Sequence, residues 1–221
     1  MSESPVYTRF GTMIPMTRLI ALLVLLAVPA PQDGPNLTLN GARPIIDNER
    51  VAVWDFTWTR GVPEPLERSR TDSVWISVSP SAGDVRYWGK GAPRRGEQSI
   101  GSPIRMISID LKDHPVAPIT NTSGFPNAFP RPGNNRKVFE NNRVIVWDFT
   151  WAKDVPTPMH FHDKDVVVVY LGTGTLRSTT PEGKATDNTW KPGDTRFNLG
   201  NRIHTETLIE GELRAVITEL K

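Results

Sequence analysis

The sequence predicts an all-β fold, a sandwich or a barrel, and two features of its patterning support this prediction. After residue 30, apolar residues recur in short segments that alternate in polarity, and Gly and Pro residues separate these segments. No segment after residue 30 shows the 3.6-residue period of an amphipathic helix. The segments most typical of strands are VIVWDFTW, DVVVVYL, GTLRSTT, TRFNL, HTETLI and LRAVITEL.

The composition is that of a globular protein and gives no sign of a nucleic-acid partner. The chain has 221 residues, of which 38% are hydrophobic, and this is sufficient for a packed core. Its 26 Lys and Arg against 24 Asp and Glu leave a net charge of +2, and no run of like charges marks a basic surface. The chain has no Cys, so thiol nucleophiles and thiolate ligands are excluded and His, carboxylate and hydroxyl groups remain.

Residues 1–30 have the pattern of a secretory signal peptide. The apolar segment Leu19–Val28 follows Arg18, and cleavage is expected after the small residue Ala30. The segment is too short to span a bilayer, which takes about 20 apolar residues. We therefore expect a periplasmic or secreted mature chain with no stable membrane span, which begins with a linker over residues 31–45. A buried N-terminal helix and an uncleaved anchor are the alternatives.

The chain contains an internal sequence repeat. The segment RVAVWDFTW at residues 50–58 returns as RVIVWDFTW at residues 143–151, an offset of 93. Near the ends of the two copies, IRMISIDLK at 104–112 parallels LRAVITELK at 213–221, an offset of 109, so the second copy is 16 residues longer. The sequence therefore predicts two homologous units.

The first unit is predicted to span residues 46–112 and the second unit residues 139–221. Residues 113–138 between them are rich in Pro, Asn and Gly, which indicates a linker that crosses the surface. In the VIVWDFTW strand of the second unit, the two-residue period places the aromatic side chains on one face. We expect this face to pack in the core or between the units rather than to form a ligand-stacking wall. Its members are Trp147, Phe149 and Trp151.

Three of the four histidines lie in the second unit at spacings that suit a metal site. On a strand, His160 and His162 point to the same side, and two imidazoles on one face can reach one cation. His204 follows on a later predicted strand, after the turn at Lys191–Asp194, and would supply a third neutral nitrogen ligand. The fourth, His114, has no partner at ligand spacing and is expected to be a solvated loop residue.

This part of the sequence resembles the two motifs of the cupin superfamily. The first cupin motif is HxH, three or four residues, Glu, six residues and Gly, and the second contains a Pro-Gly turn, a later Gly and a His. The matching positions are His160, His162, Asp165 and Gly172 for the first motif, and Pro192, Gly193, Gly200 and His204 for the second. The resemblance covers about 45 residues of the second unit and implies a double-sheet jelly roll. Together with the repeat it suggests a bicupin.

The acidic member of the predicted site stays open. Asp165 stands where the family has Glu, but only two residues separate it from His162, and its side chain is shorter. Glu206 is the alternative, because it lies two residues after His204 on a predicted strand and so shares its face. We predict the three histidines as metal ligands, Asp165 as a candidate fourth ligand, and either Asp165 or Glu206 as a proton shuttle. Asp163 is expected to be solvent-exposed.

The first unit does not repeat this set of histidines. When the units are aligned through their common Val-Pro-x-Pro segment, the two histidines of HFH fall opposite Glu67 and Ser69, and Asp165 falls opposite Asp72. These residues cannot provide three nitrogen ligands. We therefore predict a degenerate, metal-free first unit that packs on the second unit or assists dimerisation.

The ligand set and the resemblance define the expected functions. Three His with an oxygen ligand suit Mn, Zn, Fe(II) or Ni, and the sequence does not choose among these ions. The resemblance implies a metal-dependent enzyme of the dioxygenase, isomerase, decarboxylase or lyase classes that acts on a small polar molecule. The signal-peptide pattern predicts that this enzyme lies in the cell envelope. A non-catalytic protein that stores metal or binds a small molecule is the alternative. A structural β-protein, in which the repeat serves only assembly, is the third hypothesis, and a homodimer is a further expectation.

Overall fold

All of the regular secondary structure that the structure describes is β-strand. The computed structural model describes residues 42–58, 69–79, 81–92, 103–114 and 116–221, and these ranges contain fourteen strands and no helix. Over the same residues, no helix with the length and apolar character of a membrane span is found. The strands are β1 (Arg43–Asp47), β2 (Val51–Trp58), β3 (Asp72–Ser79), β4 (Val85–Trp88), β5 (Ile104–Leu111), β6 (Asn134–Glu140), β7 (Val144–Thr150), β8 (His160–His162), β9 (Asp165–Tyr170), β10 (Thr173–Thr179), β11 (Ala185–Trp190), β12 (Thr195–Asn198), β13 (Arg202–Glu212) and β14 (Arg214–Leu220).

The strands form three antiparallel sheets. The first-unit sheet has the strand order β1-β2-β5-β3-β4, and the central sheet, from the second unit, has the order β6-β7-β14-β9-β12. The site sheet, also from the second unit, has the order β11-β10-β13-β8. The first-unit sheet and the central sheet therefore share one topology. The prediction of an all-β fold is confirmed.

The central sheet is buried on both faces, which explains the continuous apolar run in β9. One set of alternate residues packs against the first-unit sheet. This core includes Val144, Val146, Val167, Val169 and Val216 of the central sheet and Val51, Val53, Val74, Ile76 and Ile107 of the first-unit sheet. The other set packs towards the site sheet, and this second core includes Trp147, Phe149, Trp151, Val166, Val168, Tyr170, Leu176, Leu208, Ala215 and Ile217. The predicted aromatic face is thus part of a hydrophobic core.

Two equivalent ion pairs join the first-unit sheet to the central sheet. Arg50 lies just before β2 and contacts Asp165 at the start of β9, with 3.5 Å between Nη1 and Oδ2. Arg143 is the repeat equivalent of Arg50 and contacts Asp72 at the start of β3, with 3.2 Å between Nη1 and Oδ2. Each unit therefore gives one arginine and one aspartate to the other, as in two copies related by a two-fold axis.

The segment predicted as a surface linker contributes to the interior of the second unit, so that prediction is corrected. It runs along the edge strand β8, where Phe161 N–H donates to Pro126 O (2.8 Å) and Ala128 N–H donates to Phe161 O (2.7 Å). The free backbone groups of an edge strand require such partners when they are buried. This pairing leads Ala128, Phe129 and Arg131 into the jelly roll, where they are 0, 8 and 6% exposed. β6 then begins within the predicted linker.

Several predicted features fall at or beyond the edges of the described ranges. The predicted signal peptide over residues 1–30 and the position of Glu67 lie outside the described residues. β1 begins at Arg43, slightly before the predicted start of the first unit at residue 46. The boundaries of the two units, and the absence of a metal from the first unit, stay predictions.

Candidate metal centre

The pairing of β8 with β13 brings the three histidines together. In this antiparallel pair, His204 lies directly opposite His160, and Arg202 lies directly opposite His162. Directly opposite residues share a face of the sheet. His160 and His162 share that face because they are two residues apart. The face is turned into the jelly roll, and the three histidines are only 1 to 7% exposed.

The three imidazoles form a nearly equilateral triangle. Their ring centroids are 4.8 to 5.0 Å apart, and each ring offers a nitrogen within 4.8 Å of those of the other two. The Nε2 atoms of His162 and His204 are 3.1 Å apart. Two ligands at about 2.0 Å from a tetrahedral metal ion would be about 3.3 Å apart. The arrangement fits one metal ion held by three nitrogens.

Nδ1 of His160 and Nδ1 of His204 make polar contacts, whereas Nδ1 of His162 is buried with no hydrogen-bond partner among the described residues. His160 Nδ1 donates to the backbone carbonyl of Pro158 (2.8 Å), which leaves the lone pair of this ring on Nε2. His204 Nδ1 lies 3.0 Å from the Ser178 hydroxyl and 3.3 Å from Nη2 of Arg202. A hydrogen bond donated by Nδ1–H to the Ser178 hydroxyl leaves the lone pair of His204 on Nε2, whereas a hydrogen bond donated by Arg202 to Nδ1 places the ring proton on Nε2. Contacts of this kind orient the imidazoles that ligate metals.

Burial keeps the three histidines neutral at neutral pH. It lowers the pKa of His160 to about 4, and the nearby charge of Arg131 adds to this effect. Burial also holds the pKa of His162 well below its ordinary value. The pKa of His204 is lowered by burial as well, although Glu206 acts in the opposite direction. Neutral imidazole is the form that binds a metal ion, so the donor set needs no deprotonation.

Arg131 reaches the triad from the segment that precedes β6. Its Nη1 donates to Nε2 of His160 over 3.0 Å. Its guanidinium group lies over the rings of Phe149 and Phe129, at 4.1 and 4.6 Å from their centroids. Its Nη2 is 3.6 Å from Oε2 of Glu206. A metal ion at Nε2 of His160 requires the release of the Arg131 hydrogen bond, so Arg131 competes for this lone pair.

Glu206 is the acid that the structure places beside the triad. It lies two residues after His204 on the inward face of β13, and its side chain is 14% exposed. Trp151 Nε1 donates to Oε2 of Glu206 over 3.2 Å. Burial acts to raise the pKa of Glu206, but neighbouring basic groups, among them Arg131, outweigh this effect and lower the pKa. Glu206 is therefore an ionised carboxylate that can accept a proton at neutral pH.

Asp165 lies on the opposite face of the central sheet from the triad. β9 begins at Asp165, and the alternate residues that follow it face the first-unit sheet. One carboxylate oxygen accepts the Gly200 N–H over 2.8 Å, and the other contacts Arg50. The next residue, Val166, is the one that faces the interior of the jelly roll. The prediction of Asp165 as a ligand or a proton shuttle is corrected, because its carboxylate serves the contact between the sheets.

Two further predicted positions lie away from the triad. His114 is an exposed loop residue, with its Nε2 3.4 Å from a carboxylate oxygen of Glu49. Asp163 is half-buried rather than solvent-exposed, and it accepts a hydrogen bond of 2.8 Å from Lys164. Neither is part of the group that could hold an ion; among the described residues that group consists of the three histidines.

Sequence reasoning missed two arginines that contact the triad. Arg202 had a usable signal, because it lies two residues before His204 and so shares its face by the two-residue period. Arg131 had none, because it lies in a Pro-rich segment whose path is fixed by pairing with β8 and not by any local period. Both residues bring positive charge to a site that was predicted to contain only histidines and acids.

No protein-family model matches the chain, and no curated protein matches it either. Solved structures do match. The Cupin 2 conserved barrel domain protein from Leptotrichia buccalis is 12% identical over 81% of this chain and 88% of its own, with a TM-score of 0.50. The protein YhaK from Escherichia coli is 12% identical over 82% of this chain and 94% of its own, with a TM-score of 0.50. A cupin domain from Bordetella pertussis Tohama I is 29% identical over 41% of this chain and 96% of its own, with a TM-score of 0.37.

The likeness to the Leptotrichia and Escherichia structures extends over most of both chains and concerns the fold. At 12% identity it carries no information about substrate or reaction. The chain has the cupin fold, and the double-sheet jelly roll predicted from the two motifs is confirmed.

Proposed function

We propose that this chain is a metal-dependent enzyme of the cell envelope that acts on a small polar molecule. The observation that carries the proposal is the triangle of three buried, neutral imidazoles, which offers three converging nitrogen ligands. A cavity of about 300 Å³ lined by His204 and Glu206 gives room for a small molecule. The signal-peptide pattern of residues 1–30 supports the location in the envelope.

The residues of the centre divide the chemical work. A divalent ion held by His160, His162 and His204 would supply Lewis acidity to a substrate oxygen. Glu206 is ionised beside this set, and it would accept a proton from the substrate and return it. Arg131 would stabilise negative charge that develops next to His160, because its buried guanidinium group lies beside that ring and is free to donate once a metal ion takes the lone pair of Nε2. Three nitrogen donors suit Mn, Zn, Fe(II) or Ni.

A non-catalytic protein that binds a small molecule or stores metal is the second candidate. The hydrogen bond from Arg131 to Nε2 of His160 favours the binding of a small molecule over the storage of metal, because this bond uses the lone pair that a metal ion needs. The inward-facing side chain at the start of β9 is the apolar Val166, so the triad receives no fourth ligand from this strand. Measured turnover separates this candidate from the enzyme.

Metal analysis of the purified chain tests the ligand set. After loading with Zn, Mn, Fe(II) or Ni and removal of the excess, we expect about one ion per chain in the unaltered protein. We expect little bound metal in His162→Ala and His204→Ala. The matched control is His114→Ala, which removes an exposed histidine outside the triad and should keep the full metal content. Full metal content in a His162→Ala chain that retains its near-UV circular dichroism would contradict the proposed site.

A panel of organic acids, sugars and phenols, each tested with the metal that binds, separates the enzyme from the binding protein. Turnover that is lost in His160→Ala and Glu206→Gln but kept in His114→Ala would support the enzyme. Stoichiometric metal binding without turnover of any panel member would support metal storage or ligand binding. No metal binding under any condition would favour a structural β-protein.

A further inference from the structure

The cavity beside the triad is built by both sheets of the jelly roll. Its lining includes His204 and Glu206 on β13, Trp190 on β11 and Arg196 on β12. In the antiparallel pair of β12 and β9, Arg196 lies opposite Val168, so both belong to the face that is turned towards the site sheet. The cavity therefore combines polar groups next to the triad with a cationic side chain from the opposite sheet.

Two arginines of this cavity lack an acidic partner. Arg202 uses its Nη2 to contact Nδ1 of His204 at 3.3 Å, and the guanidinium carbon of Arg196 lies 6.0 Å from the centroid of the Trp190 ring. Over the described ranges, no carboxylate forms an ion pair with either guanidinium group within 4.0 Å. Arg177 on the outer face of the site sheet differs, because it makes a two-bond contact with Asp187 at 2.7 and 2.8 Å.

The one acid that lines the cavity does not balance these two charges. Glu206 already has Arg131 3.6 Å away and accepts a hydrogen bond from Trp151. The lining therefore carries a surplus of positive charge. Arg202 is half-buried, and its guanidinium group has no carboxylate within ion-pair distance in the described part of the chain. A bound anion would offset the cost of keeping this cation away from water.

The rest of the lining suits an apolar body of limited size. Tyr170 and Trp190 stack with their ring centroids 4.2 Å apart and their planes 10° apart, which makes a rigid wall. Leu176 and Ile203 also line the cavity. A volume of about 300 Å³ is at the small end of the range for ligand pockets, so the occupant is a small molecule.

We propose that this cavity binds a small organic carboxylate, with its carboxylate group shared by Arg196 and Arg202 and its apolar part against Trp190 and Leu176. This inference names the substrate class of the proposed enzyme. That the bound carboxylate is a substrate rests on the proposed function. The binding itself depends on the arginines and not on a metal, so it can be measured on the full chain with metal removed.

Benzoate and its neutral analogue benzamide are the probes, since they share a planar ring and differ in charge. Calorimetric titration of the metal-free full chain should give benzoate an affinity at least about 10-fold above that of benzamide, because hydrogen bonds to charged groups are the stronger ones. Arg202→Gln should lower the affinity for benzoate by about 10-fold and leave the affinity for benzamide unchanged. Arg196→Gln changes an exposed residue, which folding tolerates, and it should also lower the affinity for benzoate. Arg177→Gln is the matched control and should bind as the unaltered chain does.

The outcomes separate this proposal from the metal centre. Equal affinity for benzoate and benzamide, no binding of benzoate, or an unchanged preference in both Arg202→Gln and Arg196→Gln would overturn the carboxylate proposal. A preference for benzoate in a chain that binds no metal would support the carboxylate site while it contradicts the proposed metal enzyme. Metal binding without a preference for benzoate would leave the metal centre standing and remove the carboxylate site.

Discussion

The first-unit sheet and the central sheet are two copies of the same five-stranded arrangement. Both have the same strand order. Equivalent ion pairs also occur within them: Arg105 contacts Asp55 at 2.9 Å in the first unit, and Arg214 contacts Asp148 at 2.8 Å in the second. Between the two sheets, the ion pair Arg50–Asp165 has its repeat equivalent in Arg143–Asp72. The repeat thus preserves the scaffold and its internal contacts in both units.

The two copies differ in what accompanies the sheet. The second unit adds the site sheet, which carries the three histidines, Arg202 and Glu206. In the described part of the first unit, no strand corresponds to β8, β10, β11 or β13. The five-stranded sheet alone therefore supplies a hydrophobic core, whereas the candidate site requires a second sheet whose inner face is turned towards it.

Because the two sheets share a core, we expect a destabilising substitution in the first unit to promote loss of metal from the second unit. This is the largest effect we expect. Ile107→Ala removes a fully buried side chain of β5 from the core that also contains Val167 and Val216. The expected loss is about 2–5 kcal/mol in the free energy of unfolding. Urea unfolding followed by tryptophan fluorescence and by release of bound metal should show one common transition at lower urea. Thr173→Ala, at an exposed position, is the control.

Two separate transitions for fluorescence and metal release would contradict a shared core that couples the two units. They would mean that the first-unit sheet and the jelly roll unfold independently. The core between the two sheets would then be too weak to couple them.

The two ion pairs between the sheets are expected to contribute unequally to the free energy of unfolding. The losses expected on breaking them are smaller than or similar to that of Ile107→Ala. The side chains of Arg50 and Asp165 are 10 and 8% exposed, whereas those of Arg143 and Asp72 are 27 and 19% exposed. Arg50→Met leaves a buried carboxylate without its cation and should cost about 3 kcal/mol of unfolding free energy. Arg143→Met affects a wetter pair and should cost about 1 kcal/mol. Urea unfolding of the two variants measures the difference.

Asp165→Asn tests whether the Asp165 carboxylate serves the ion pair with Arg50 or ligates a metal ion. It should lower the stability as Arg50→Met does, and it should keep the full metal content, because β9 directs this side chain away from the triad. Loss of metal from an Asp165→Asn chain that is otherwise folded would restore Asp165 as a ligand. Equal losses of stability in Arg50→Met and Arg143→Met would show that burial does not distinguish the two pairs.

The smallest expected effect is a pH dependence of stability that comes from Glu219 in the second unit. Trp147 Nε1 donates to Glu219 over 2.7 Å, whereas Trp54, its repeat equivalent, has no partner for its buried indole N–H among the described residues. Burial raises the pKa of Glu219 above the ordinary value of 4.5. Glu219 therefore stabilises the fold fully below about pH 4.5, and this contribution is lost as the pH rises through the pKa of the folded state.

Glu219→Gln keeps an oxygen that accepts the Trp147 hydrogen bond and removes the titration. We expect the variant to be more stable than the unaltered chain at pH 7 and to approach it in stability at pH 4. Chemical unfolding at the two pH values provides the measurement. A stability difference that does not change with pH would show that Glu219 has its ordinary pKa.

Local periodicity was sufficient for most of the candidate site. His160 and His162 were placed on one face by the two-residue period, and His204 and Glu206 by the same rule on a later strand. Asp165 could not be placed in this way. The side of the sheet on which Asp165 lies depends on the residue at which β9 begins. A shift of one residue in a strand moves every side chain to the opposite face.

The sequence by itself determined the strands, the repeat and the histidine set, because each depends on spacings of a few residues or on direct comparison of two segments. The packing of the folded chain was needed to show that Asp165 serves the contact between the sheets, that Arg131 enters the jelly roll, and that Arg196 and Arg202 line one cavity. The first two are contacts between segments far apart in the chain, and the third brings together side chains of the successive strands β12 and β13, which belong to different sheets. They follow from sheet register and from the packing of one sheet on another, which no local pattern of residues encodes.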